Sequence, residues 1–276
     1  MKRLIFEEDH EMFRDSVRRF MQAEIGPQVE RWREAGICDK DAFRKAGDQG
    51  LLCMWVDEQY GGLGMEDFRF EQIVIEETMR HGDLGFFITL HSRLVGPYVG
   101  HLGSEALKER LLPKCISGET ILGIAMTEPG AGSDLAGIKS RAVRDGDDWI
   151  INGSKTYISN GINGGAFVVA ARTVPDKPHG IGLFVVEEDM EGFSRGRNLA
   201  KMGLKSQDTA ELFFENVRVP AENVLGDPQK GFYSLMRFLA EERLISACQA
   251  VAHGQIAFDL TMDYILERKA FGKPIG

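Results

Sequence analysis

Three stretches of this chain combine residue types and spacings that chemistry could use. The first is Thr127-Glu128-Pro129-Gly130-Ala131-Gly132-Ser133-Asp134, directly after the apolar run Ile121–Met126. Two glycines around a small residue, then a hydroxyl and a carboxylate, let backbone N–H groups approach an anion closely. The same residues also suit an ordinary tight turn. No Lys-Ser/Thr pair follows as in a P-loop, and no third glycine has the GxGxxG spacing. The second stretch is Gly153-Ser154-Lys155-Thr156-Tyr157-Ile158-Ser159-Asn160-Gly161. Strand alternation puts Tyr157 and Ser159 on one side, where an aromatic face and a hydroxyl could meet one flat ligand; the simpler reading is a half-buried tyrosine in a strand.

The third stretch is Ala240-Glu241-Glu242-Arg243-Leu244. At about 3.6 residues per turn, Glu242 shares a helix face with Leu235, Phe238, Leu239, Ile245, Ile256 and Leu260. Desolvation there would raise its pKa and make it a better acceptor for the proton of a carbon acid. The competing reading is a buried ion pair or hydrogen bond to a neighbouring helix. Glu241, a quarter turn or more away, reads as a solvated surface charge.

Other chemistries find little support. The six histidines show no HExxH or other metal spacing, so no metal is expected, and there is no GxSxG. Cys38, Cys53, Cys115 and Cys248 form no CxxC pair and read as reduced, buried thiols. The formal net charge of -9 opposes a nucleic-acid partner, and an anionic ligand needs a local site. Met1 to His10 lacks the apolar core of a signal peptide, and no run approaches membrane-spanning length. A cytoplasmic location is expected, or an organelle matrix after removal of a transit peptide.

Periodicity divides the 276 residues into three segments, expected as domains over 1–119, 120–222 and 223–276. In the first, apolar residues recur at helical spacing: Phe6, Phe13, Val17, Phe20, Met21 and Ile25 make one stripe before Gly26-Pro27 stops it, with later stripes at Phe70 to Met79, Leu94 to Leu102 and Ala106 to Ile116. From Thr120 short β-rich runs follow, at Ile121–Met126, Trp149–Ile151, Phe167–Ala171, Ile181–Val186 and Glu211–Val219. Asp145-Gly146-Asp147-Asp148 and Asn152-Gly153 are the expected hairpin turns. Helical periodicity returns from about Gly231 to Arg268, and Phe271-Gly272-Lys273-Pro274 reads as a loop. The expectation is an α+β protein: a helical N-terminal domain, an antiparallel β-barrel or sandwich, and the start of a C-terminal helical bundle. One long helix must bury its apolar face on the first segment, on another chain, or on further helices.

Taken together, Ala125 to Asp134, Tyr157 to Gly161, Met202-Gly203-Leu204-Lys205-Ser206-Gln207-Asp208-Thr209 and Arg268-Lys269-Ala270-Phe271-Gly272 resemble the acyl-CoA dehydrogenases over essentially the whole chain. The resemblance implies FAD bound between the middle and C-terminal domains. Ile124, Ala125, Met126, Thr127, Gly132 and Ser133 would line it, with Thr127 on the ring edge and Ser133 on the pyrophosphate and near substrate. Tyr157, Ile158 and Ser159 would flank the isoalloxazine, with Tyr and Ser where many relatives have Trp and Thr. Arg268 and Phe271 would reach the flavin of a neighbouring subunit. Glu242-Arg243-Leu244 matches the position at which the long-chain and isovaleryl types carry their catalytic base; most relatives place it on a later loop.

Substrate contacts implied are Ser133, His179, Tyr233, Glu241, Glu242, Arg243 and Leu244. The implied reaction is concerted: Glu242 takes the α-proton while hydride leaves the β-carbon for the flavin, giving a trans-2-enoyl-CoA, with an electron-transfer flavoprotein as acceptor and a homotetramer or dimer as the full-length assembly. The overall likeness tilts towards the long-chain type. The family's C-terminal bundle continues past the position of Gly276, so this form is expected to expose apolar surface and bind FAD poorly. The alternatives are a superfamily acyl-CoA oxidase and a non-enzymatic binding or assembly module.

Overall fold

The structure, a computed structural model, describes residues 4–276; Met1 to Arg3, part of the segment read for a signal peptide, lie outside it. Six helices come first: α1 (Glu8–Phe20), α2 (Val29–Ala35), α3 (Lys40–Asp48), α4 (Phe68–His81), α5 (Gly96–Leu102) and α6 (Glu105–Ile116). Ser104 begins α6 by accepting the Leu107 N–H, and Asp67 begins α4 by accepting that of Arg69. Gly26-Pro27 does not stop the first stripe. The chain passes from α1 through a π-helical stretch, Met21–Ile25, and a 3₁₀ turn, Gly26–Gln28, into α2. Proline is tolerated there because the N–H groups of the first residues of a turn have no acceptor within it, so little is lost when one is missing. A second π-helical stretch, Leu90–Val95, leads into α5.

Seven strands follow: β1 (Leu122–Ala125), β2 (Arg141–Asp145), β3 (Asp148–Ser159), β4 (Ala166–Arg172), β5 (Ile181–Glu187), β6 (Phe193–Asn198) and β7 (Thr209–Val219). They form one curled sheet in the order β1-β4-β2-β3-β7-β6, with β5 on the other edge of β4. The sheet is mostly antiparallel, but β4 runs parallel to β1 and touches β2 in parallel at Arg172 and Arg141. β4 and β5 are buried on both faces, as their unbroken apolar runs require. The Asp145–Asp148 hairpin forms as expected, with Gly146 at φ 66°. Asn152-Gly153 is not a turn. It lies inside β3 at a register shift, where Gly153 adopts φ 148° and a side chain would run into Ser140.

α7 (Gly231–Glu267) is a single helix of 37 residues, followed by the short hairpin β8 (Lys269–Ala270) and β9 (Lys273–Pro274). The expected loop is therefore a turn between paired residues: Phe271 and Gly272 both have positive φ, the geometry of the tightest hairpins. Leu235, Ile245 and Ala252 of α7 are buried, facing α4, the 90–95 stretch and β5. Each fully buried branched side chain there is worth about 1.5–3 kcal/mol. Leu260, expected on the buried face, is 65% exposed, as are Val251, Phe258, Tyr264 and Leu266 to similar degrees. Helical spacing assigned the face correctly for the first half of α7; beyond Ala252 the N-terminal helices cover it only in part, at the half-buried Ile256 and Asp259. The protein is thus α+β: helices, a curled sheet, then a long helix. Among the described residues no helix is long and apolar enough to cross a membrane. Cys38, Cys53 and Cys115 are buried; Cys248 is partly exposed.

Candidate active site

The glycine-rich loop leaves β1 into a closed turn in which Glu128 and Ala131 exchange both backbone hydrogen bonds, at 2.9 and 3.1 Å. Its rigidity comes from beneath. Lys155, fully buried, donates to the Glu128 carboxylate at 2.8 Å and to the Met126 carbonyl at 3.0 Å. Glu128 also accepts from the backbone N–H groups of Lys139 and Ser140, at 2.6 and 3.0 Å. Burial works against the carboxylate, but Lys155 and these donors outweigh it and leave its pKa below the ordinary value. Burial lowers the Lys155 pKa, with Glu128 opposing. The Lys155 ammonium and both oxygens of the Glu128 carboxylate are thus satisfied inside the protein.

On top of this base, Gly130 and Gly132 face open space and Ser133 is exposed, so an anion can approach their N–H groups and hydroxyl. The start of β1 is pinned by His91. The Leu122 N–H donates to its Nδ1 at 3.0 Å, which leaves Nε2 to donate to the Cys115 carbonyl at 2.9 Å. Burial lowers the His91 pKa to about 4, fixing the neutral ring that this geometry needs.

The β3 stretch is joined to the loop by the Thr156 N–H, which donates to the Thr127 carbonyl at 2.9 Å. A register shift between Lys155 and Ile158 turns the chain, and Tyr157 takes φ 58°, a left-handed conformation uncommon for a tyrosine. The result is not a half-buried strand tyrosine: Tyr157 is 70% exposed, with Ser159 partly exposed on the same side. Ile158 and Ala125 bury their side chains in the sheet, so only their backbone can face a ligand. The turn that follows β3 is braced by Asp208, whose carboxylate accepts the N–H groups of Ile162 and Asn163 at 2.6 and 3.0 Å. The Lys205–Thr209 stretch thereby supports the end of the strand that carries Tyr157. Exposed aromatic ring, hydroxyls and open anion-accepting glycines on one rigid base fit a flat cofactor carrying a diphosphate.

A second group of residues gathers at the start of α7. The His179 ring stacks on Phe232, with centroids 4.2 Å apart, and meets Tyr233 edge-on at 5.9 Å. Val174, Lys177, Pro178, Gly180 and Gln229 complete a cavity of about 280 Å³ beside them. Arg172, not anticipated from sequence, ties this loop to the glycine-rich one: it donates to the Lys177 carbonyl at 2.5 Å and to those of Ala136 and Ile138 at 2.6 and 3.2 Å.

Glu242 lies further along α7, half-buried, one turn past Phe238 and three residues before the buried Ile245. Its pKa is raised by desolvation, with the adjacent Arg243 only partly offsetting this. Its charge is felt by Tyr98, whose buried phenol is pushed upward by burial first and by Glu242 second. Among the described residues its carboxylate makes no ion pair. Glu241 is different from its expected role: it is not a solvated charge but is ion-paired with Arg93. Arg243 and Leu244 are exposed. Arg268 and Phe271 stay away from this cluster, because 26 residues of helix and its end separate Arg268 from Glu242, about 39 Å along the axis. The Phe271 side chain is fully exposed at its hairpin tip.

Comparison with known proteins places this architecture. Family models for the acyl-CoA dehydrogenase N-terminal, middle and C-terminal domains match residues 7–119, 123–217 and 229–276. The chain belongs to the acyl-CoA dehydrogenase family. It is 46% identical over 276 residues to the mitochondrial long-chain specific acyl-CoA dehydrogenase of Sus scrofa, covering 99% of this chain and 64% of that protein. It is 37% identical to the mitochondrial isovaleryl-CoA dehydrogenase of Solanum tuberosum, over 99% of this chain and 67% of that one. A crystal structure of an acyl-CoA dehydrogenase from Geobacillus kaustophilus superposes with a TM-score of 0.96 at 47% identity, over 99% of this chain and 73% of the other. The chain thus spans about two thirds of the length of such relatives.

Proposed function

We propose that this chain forms the FAD- and acyl-thioester-binding part of an acyl-CoA dehydrogenase, with Glu242 as the base that removes the substrate α-proton. The observation that carries the reading is the Glu242 carboxylate itself: half-buried on the apolar stripe of α7, without an ion pair among the described residues, its pKa raised by desolvation. An unpaired carboxylate in such a place costs stability, and a raised pKa is what proton abstraction from carbon requires.

Thr127, Gly132 and Ser133, with Tyr157, Ser159 and the backbone of Ile124 to Met126 and Ile158, would hold FAD. Bound there, FAD supplies the two-electron acceptor for the hydrogen leaving the β-carbon. Glu242 receives the α-proton on its carboxylate oxygen, and Phe238, Ile245 and Tyr98 around it keep water from competing. His179, Tyr233 and Arg243 would take the CoA portion, and Ser133, Glu241 and Leu244 would border the thioester. Arg268 and Phe271, remote from their own Glu242, would serve the flavin site of a neighbouring subunit in a homo-oligomer. An electron-transfer flavoprotein would reoxidise the cofactor, in the cytoplasm or a mitochondrial matrix. Identity of 46% to a long-chain enzyme, against 37% to an isovaleryl enzyme, supports a long acyl chain. The domain division at 119/120 and 222/223 belongs to the same reading.

Anaerobic mixing of the FAD-loaded protein with acyl-CoA of graded length tests this. Bleaching of the flavin absorbance is expected, fastest with long chains, and Glu242→Gln should slow it by about 10²- to 10⁴-fold. A variant that bleaches at the wild-type rate would remove Glu242 as the base.

A further inference from the structure

The turn of α7 that carries Glu242 is held at two neighbouring points of one face by the N-terminal helices. Phe238 stacks on His101, with centroids 6.0 Å apart and planes 11° apart, and His101 stacks on Trp55 at 5.2 Å. Next to this stack Arg93, in the π-helical stretch Leu90–Val95, is ion-paired with Glu241. The Arg93 side chain is largely buried at 16% exposure, and its guanidinium lies 5.9 Å from the Phe68 ring.

Arg93 also faces Glu71 of α4, a buried carboxylate hydrogen-bonded to the Thr89 hydroxyl and without an ion pair among the described residues. One guanidinium therefore stands between carboxylates from two different helices. The stretch that presents it is itself fixed: the Ser92 hydroxyl accepts the Cys53 N–H at 3.0 Å, and the Ser92 carbonyl accepts the Trp55 indole N–H at 2.8 Å. A π-helical turn is less favourable than an α-turn and shifts the direction of its side chains.

Successive residues of a helix are rotated by about 100°, so a fixed contact at Glu241 sets the rotation of the backbone from which Glu242 projects. Phe238, one turn earlier, sets its depth. We propose that Arg93 is a positioning residue for Glu242: by holding Glu241 from a rigid π-turn, it fixes the rotation of α7 that aims the Glu242 carboxylate at the substrate. This rests on Glu242 being the base.

A merely structural ion pair would change stability and leave the chemical step alone. Misaiming a base slows that step while ground-state binding persists. In the FAD-loaded protein, Glu241→Gln and Arg93→Met are each expected to lower the limiting rate of flavin reduction by about 10- to 100-fold. The acyl-CoA concentration giving half that rate should move by less than about threefold. Arg93→Lys should recover much of the loss, and the double variant Arg93→Met/Glu241→Gln should be no slower than the worse single one, because both remove the same contact.

If Arg93→Met fails to fold because the buried Glu71 loses the cation that faces it, Glu241→Gln carries the test alone, since it leaves Arg93 in place. In flavin-free protein, amide exchange over residues 238–246 should rise by about tenfold in Glu241→Gln, with residues 256–264 unchanged. A wild-type limiting rate in Glu241→Gln would overturn the proposal. Glu242→Gln run beside it separates the two claims: a wild-type rate there would instead overturn the assignment of the base.

Discussion

Around residues 126–134 the polypeptide is held by charge and hydrogen bonds inside the protein; around Glu242 it is held mainly by apolar contact, with one ion pair at the neighbouring residue. The first region makes a satisfied polar base under an exposed ligand-accepting surface. The second leaves its central carboxylate half-buried and, among the described residues, without an ion pair. The difference suits the roles proposed for each. A loop that receives an anion with backbone N–H groups must not move, whereas a base must keep some of the cost of its charge uncompensated, or it would lose its affinity for a proton.

The largest effect expected from breaking this contrast is on the loop side. Lys155→Met leaves Glu128 buried without its cation, and loss of one partner of a buried pair costs about 3–5 kcal/mol. Denaturant unfolding should show that loss, and Lys155→Met/Glu128→Gln should recover part of it. Equal stability of the single variant and wild type would mean that the loop is held by its backbone alone.

Next comes Glu71, the buried acid on the helix side. Burial is the main cause that raises its pKa from 4.5 to about 7, with Thr89 and Arg93 opposing. The folded protein therefore holds this proton more tightly than the unfolded chain does. The contribution is fully present below pH 4.5 and is lost as pH rises through about 7, amounting to about 3 kcal/mol. Glu71→Gln should remove that slope, so the variant gains on wild type between pH 4.5 and 8 in urea melts. Parallel profiles would show that Glu71 is hydrated or better paired than its burial implies.

A smaller effect, of opposite sign, is expected at Tyr157. Its left-handed backbone is strained for a tyrosine, and its exposed ring contributes little packing. Tyr157→Asn should raise stability by about 1 kcal/mol while weakening FAD retention. A variant that is more stable and keeps its flavin equally well would remove Tyr157 from the cofactor site.

Which of these features sequence could reveal depends on whether their cause is local. The Asp145–Asp148 turn and the placement of Glu242 beside Phe238 and Ile245 were legible, because turn chemistry and helical period are local properties. Asn152-Gly153 looked like a turn, but its glycine is required by Ser140, which approaches from another part of the chain. Lys155 was illegible for a similar reason: nothing local in Gly153 to Gly161 gives it a partner, and only the fold buries it over Glu128. The exposed second half of α7 shows the same limit, since a period identifies an apolar face but not what covers it. Family resemblance added the flavin-side stretches that periodicity left ambiguous. It gave no hint of Arg93 or Arg172, which act through contacts between segments.

The smallest expected effect tests what holds α7 to the N-terminal helices. Arg80 of α4 pairs with Asp259 at 2.6 Å, 18 residues and therefore about five turns beyond Glu241, on the same side of the helix. Both partners are more than a third exposed, so the pair is screened by solvent and salt. Arg80→Met should cost less than about 1 kcal/mol and leave flavin reduction unchanged, with the difference shrinking in molar salt. A larger loss, or one that slows reduction, would show that the far half of α7 is registered by charge. The rotation at Glu242 would then be set from both ends of the helix, and the role given to the Arg93 contact would be shared.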